Sequence, residues 1–126
     1  MSIIESVNKH LEELEKRVSD IIGSALIRTN GLIVASSLPK EANERMIAAM
    51  SAALLGTSKR SAEALFNGNF NSLNLELDKG NMFLISAGRV ILVAITKPQP
   101  NIGLVTLEME DISNKISQIF KMVEEN

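Results

Sequence analysis

Few side chains in this 126-residue sequence are of a type that moves protons or attacks substrates. His10 is the only histidine, so a histidine-based triad or a multi-histidine metal centre would have to be built from one ring. It falls beside the apolar stripe of an N-terminal helix, where a surface or boundary position suits it. Glu12, Glu13 and Glu15 resemble a carboxylate cluster, but Lys9, Lys16 and Arg17 stand among them. That interleaving describes a solvated helix face laced with i,i+4 pairs, not an acid and a base held in contrasting environments. The absence of cysteine excludes disulfides, iron–sulfur clusters and thiolate catalysis, and is compatible with a cytoplasmic location. Without a GxxxxGK loop or a GxGxxG turn, the chain is not expected to bind nucleotide by itself. No nucleophile and base can be named as a pair, so the sequence is read as non-enzymatic, with no cofactor and no metal.

Composition narrows the partners. Thirteen basic and 15 acidic residues leave a net charge of −2, with neither sign gathered into a block, so no nucleic-acid footprint appears. Four Phe, no Trp and no Tyr supply no obvious base-stacking platform. No apolar run approaches the roughly 20 residues that span a bilayer, so membrane insertion is not expected. The opening MSIIESVNKHLEELEKR has neither the n-region nor the h-region of a signal peptide. An apolar fraction of 45% and a mean hydropathy of +0.13 are high for one small domain, and the surplus points to protein contacts.

The elements that would position any site follow from periodicity. Ile4, Val7, Leu11, Leu14 and Val18 trace an amphipathic first helix that Ser2 can cap. Ile21 to Arg28 and Leu32 to Ser36 flank Thr29-Asn30-Gly31, and the Asn-Gly pair predicts a type I′ hairpin turn. A long helix is expected from about Glu41 to about Phe66. Between Met46 and Gly56 only Ser51 is polar, so this helix is apolar around its axis and must be covered on more than one side. Met46, Ile47, Met50, Leu54 and Leu65 gather on a large face expected to pack on the sheet. Ala49, Ala52, Ala53 and Gly56 gather on a small face suited to the close approach of a second helix, which a chain this short does not have to spare. A partner chain is therefore inferred, although Gly56 facing its own sheet is an alternative. Met46 and Met50 suit either the core, the preferred reading, or an adaptable surface.

Phe70 to Leu77 alternates, with Leu73, Leu75 and Leu77 on one side and Ser72, Asn74 and Glu76 on the other, as in a half-exposed strand. Asp78 to Asn81 turns the chain. Met82 to Ala87 and Val90 to Ile95 are nearly continuous apolar runs, which predicts a hairpin covered on both faces. Arg89, in the link between them, reads as a solvent-facing turn residue. Pro98 and Pro100 end the last strand near Thr96, and Asn101 caps a final helix with Ile102, Val105, Met109, Ile112, Ile116, Ile119 and Val123 along one stripe.

The order strand, strand, Pro-x-Pro-Asn link and NIGLVTLEM helix resembles the C-terminal half of the Roadblock/dynein light-chain family. The TNGLIVASS segment is similar to that family's first hairpin, and the small-residue-rich helix to its central helix. The resemblance spans nearly the whole chain and implies a single α+β domain over residues 1–126, profilin-like, running α-β-β-α-β-β-β-α. Its five-stranded antiparallel sheet would be ordered 2-1-5-4-3 with helices on both faces. It also implies a homodimer in which Ser72, Asn74 and Glu76 of the third strand pair with their twins, beside Ala49, Ala52, Ala53 and Gly56 of the central helix. By the same resemblance the chain binds a Ras-like small GTPase, with Arg45, Lys59, Arg60 and Glu63 as contact rim or as ordinary solvated charge. Bacterial Roadblock activators act by ordering the GTPase's own catalytic groups, without inserting an arginine. Two other readings stay open: a dimerisation scaffold without effect on GTP turnover, and a small-ligand sensor, which would need a pocket inside the monomer.

Overall fold

The computed structural model describes residues 2–125. The chain runs α1 (Ile3–Arg17), β1 (Ile21–Arg28), β2 (Ile33–Ser37), α2 (Glu44–Phe66), β3 (Ser72–Leu77), β4 (Gly80–Ala87), β5 (Val90–Thr96) and α3 (Ile102–Glu125). All neighbouring strands are antiparallel, and their order is β2-β1-β5-β4-β3, as expected. The central strands bury both faces. Leu26, Phe83, Ile85 and Leu92 meet Val7, Leu11 and Leu14 of α1 and Val105, Met109, Ile112 and Ile116 of α3. On the reverse face Ala25, Ile27, Leu84, Ile91 and Val93 meet Ile47, Ala48 and Leu55 of α2. The result is a three-layer sandwich, two helices against one across the sheet.

Local chemistry sets the ends of the helices. Ser2 Oγ accepts from the Glu5 N–H at 3.2 Å, and Asn101 Oδ1 accepts from the Leu104 N–H at 3.1 Å, so both expected caps are present. Asp20 pins the Pro98–Pro100 link, because its carboxylate accepts from the Asn101 N–H at 2.8 Å and pairs with Lys97 at 3.0 Å. Those contacts hold its carboxyl below the usual range, the Asn101 hydrogen bond first. Helix α2 begins three residues later than expected. Asn43 caps it, accepting from the Met46 N–H at 3.0 Å, while residues before it turn through an Ala42-to-Pro39 hydrogen bond.

The β1–β2 turn departs from the expected type I′. Gly31 has φ +89°, but Asn30 is not in the left-handed region. The Gly31 N–H instead donates to the Arg28 carbonyl at 2.9 Å and the Arg28 N–H to the Leu32 carbonyl at 2.8 Å, a three-residue loop in which only the last position needs glycine. Between β4 and β5 the two-residue link is Gly88-Arg89, with Gly88 at φ +74°.

The faces of α2 differ most from expectation. Its buried arc is Ile47, Ala48, Ser51 and Leu55, whereas Met46, Met50 and Leu65 of the supposed sheet-packing face are exposed. Ser51 is tolerated inside because its hydroxyl donates to the Ile47 carbonyl at 2.7 Å and so needs no partner from the sheet. The preferred core reading of Met46 and Met50 therefore does not hold. Smaller corrections lie at element ends: Ile3 instead of Ile4 packs inward, Ile102 and Val123 of α3 are exposed, and β3 begins at Ser72 with Phe70 tucked against the α2-side core.

Candidate interaction site

The sheet has two edges, and they are not equivalent. Strand β2 pairs with β1 through a register break between Leu26 and Ile27, which re-aims the edge. Strand β3 pairs with β4 without a break from Ser72↔Ile85 to Leu77↔Gly80. Among the described residues no strand pairs with its outer side. Ser72, Asn74 and Glu76 are exposed along it, and Asn74 Oδ1 accepts from Asn81 Nδ2 at 3.0 Å. The resemblance places the dimer contact on these three residues, and the geometry leaves their edge open.

Around this edge the α2 layer is thin. Ala49 and Ala53 are exposed, while Ala52 and Gly56 are half-buried. Ala52 lies toward the β1–β2 turn, because a Cβ at Gly31 would sit 3.6 Å from its methyl group. A Cβ at Gly56 would meet only the Arg60 guanidinium, at 3.5 Å, so Gly56 does not face its own sheet closely. The four expected rim charges are all exposed but do not form one patch. Arg45 lies on the first turn of α2, about 21 Å along the axis from Lys59 at 1.5 Å per residue. Lys59 and Glu63 instead border a depression with Gly68, Asn69, Phe70 and Ser86.

Two features were missed. One is apolar: Leu65 and Phe66 at the end of α2, and Ile22, Met50 and Leu77 around a groove on the same side of the sheet, are left uncovered. The helix apolar on all sides was the available signal, assigned to the wrong residues. The other is an ion network that clasps α1 to α3. Arg17 meets Asp111 at 2.7 Å and Glu108 at 3.0 Å, and Lys115 meets Glu13 at 3.0 Å and Asp111 at 3.4 Å. The i,i+4 pair Arg17–Glu13 was expected, but partners nearly a hundred residues apart are invisible to local spacing. Lys115 holds the Glu13 carboxyl low, and Arg17 does the same for Asp111. Glu15 behaves oppositely: burial against β1 and β2 pushes its carboxyl up, although Ser24 donates to it at 3.4 Å.

His10 is half-buried on α1, lies 3.8 Å from Glu13 and meets no second imidazole. Among the described residues no cluster of three potential metal ligands occurs, and no helix is long and apolar enough to cross a membrane. A small, partly open pocket between β3, β4 and α3 measures about 40 Å³, room for little more than water.

The element order, the strand order and the three layers define a profilin-like α+β fold. Residues 7–96 match the model of the Roadblock/LC7 domain, and the chain belongs to that family. A protein of Methanocaldococcus jannaschii, MJ0310, is 31% identical over 114 residues, covering 90% of this chain and 99% of that protein. MglB of Myxococcus xanthus superposes with a TM-score of 0.87 at 21% identity, covering 94% of this chain and 90% of MglB. Profilin IA of Acanthamoeba castellanii superposes with a TM-score of 0.62 at 12% identity, covering 93% and 98%.

Proposed function

We propose that the protein is a non-enzymatic, cytoplasmic, homodimeric Roadblock module that binds a Ras-like small GTPase and biases its nucleotide cycle. The observation that carries the dimer is the unbroken β3 edge, open along its length beside apolar side chains that the chain's own elements leave uncovered. An edge of this kind is a template for another strand, and pairing with its own twin removes it from solvent. Membership of the Roadblock/LC7 family supports the GTPase as partner.

In this reading two joined sheets and two α2 helices form one stiff platform. A platform alters hydrolysis or exchange by binding one arrangement of the GTPase switch loops more tightly than the other. It supplies position and leaves the chemistry to the GTPase and its magnesium ion. Single-turnover GTP hydrolysis and nucleotide release are measured for Ras-like GTPases with and without the protein. A change in either rate supports the regulator, whereas binding with both rates unchanged leaves the scaffold.

A further inference from the structure

We infer that two copies pair through β3 with Asn74 on the two-fold axis, and that this register seats Leu65 and Phe66 of each copy against the Met50–Leu77 groove of the other. The inference rests on the homodimer reading above and specifies its register. The Ser86 N–H donates to the Asn71 carbonyl at 3.1 Å, so with the β3–β4 register the odd-numbered residues of β3 bond to β4. Antiparallel ladders alternate, and the N–H and C=O groups of Ser72, Asn74 and Glu76 therefore point to the open edge.

A two-fold axis normal to the sheet keeps every side chain on its own face, so facing residues are both even or both odd. With the axis at Asn74, that residue bonds twice with its twin and each of two Ser72–Glu76 pairs bonds twice, six backbone bonds in all. With the axis at Leu73 or Leu75, only two such pairs lie within Ser72–Leu77, which gives four. An axis at Glu76 sets two carboxylates face to face. The Asn74 register instead places each Ser72 hydroxyl opposite a Glu76 carboxylate and Leu73 opposite Leu75. It also lines up the two Asn74 amides, each already fixed by Asn81 Nδ2.

The same register accounts for the uncovered apolar residues. Antiparallel pairing sets the start of one β3 beside the end of the other. Above the start stand Leu65 and Phe66, 71% and 82% exposed. At the end lies a groove of about 320 Å³ floored by Met82 and Ile95, with Ile22, Met50 and Leu77 left 51%, 45% and 55% exposed. Both patches are on the α2 side, so each copy offers what the other leaves open, twice over.

The chain has no cysteine, so an introduced one reports alone. Facing residues of a hydrogen-bonded antiparallel pair have Cα atoms about 5.5 Å apart, within disulfide reach, whereas residues two positions out of register lie at roughly 7–8 Å, beyond it. Under mild oxidation N74C is expected to convert mostly to covalent dimer, with L73C and L75C remaining mostly free. As a second test, S72C mixed with E76C is expected to cross-link although neither does alone, which covers the case in which N74C folds poorly. Cross-linking of L73C or L75C in preference to N74C overturns the register while keeping the homodimer. A sedimenting dimer with no cross-link at any β3 position overturns the use of this edge, and a monomer overturns the homodimer itself.

Discussion

Phe66 to alanine separates the stability of the subunit from that of the dimer. The ring is 82% exposed on one copy, so its removal is expected to shift subunit unfolding by no more than about 0.5 kcal/mol. In the proposed dimer the ring packs into the partner's groove. Burying a Phe side chain is worth about 1.5–3 kcal/mol, so about 2 kcal/mol is lost per copy. Two copies are affected by symmetry, and the total of about 4 kcal/mol weakens the dimer roughly 10³-fold. Sedimentation velocity across a dilution series measures this directly. Met122→Ala is the control, since that residue is also exposed, at 63%, but belongs to α3 in the layer opposite α2. A Phe66→Ala dimer within about threefold of wild type, or an equal loss from Met122→Ala, would falsify the proposed seating.

The remaining expectations concern the charged contacts of α1. Lys115 and Arg17 make Glu13 and Asp111 more acidic in the folded chain than in the unfolded one, so their contribution is present above the ordinary carboxylate range and fades as pH falls through the lowered values, below about pH 4. Urea midpoints of wild type and of a Glu13→Gln/Asp111→Asn double variant are expected to differ at pH 7, with the gap narrowing as pH falls below about 4 and in high salt; a gap as wide at pH 3 as at pH 7 contradicts the clasp. Glu15 has the opposite sign. Burial raises its folded value, so its ionisation disfavours the native state at pH 7 and the penalty disappears as it takes up a proton toward pH 4. Glu15→Gln is expected to raise the urea midpoint at pH 7 and to lose that advantage near pH 4, and a lower midpoint at pH 7 refutes the assignment.

Much of the scaffold is legible in the sequence because its signals are local. The apolar runs of β4 and β5, the Pro-x-Pro stop near Thr96 and the Asn101 cap each depend on residues within a few positions, and each stands where expected. The faces of α2 are harder to read. When nearly every position is apolar, periodicity no longer selects a side, and a self-satisfied Ser51 can face the core while Met46 and Met50 face out. The rim charges show a related limit, since equal spacing to the small face does not bring Arg45 near Lys59. The open edge of β3 was readable as an alternating strand. Its outward-pointing groups and its two flanking apolar patches required the register with β4 and the path of α2.

The most direct test of the central claim is sedimentation of the purified protein alone and with Ras-like GTPases loaded with GDP or a GTP analogue. The account predicts a dimer that binds one nucleotide state in preference to the other. A monomer, or a dimer with no preference for either state of any GTPase tested, would contradict it.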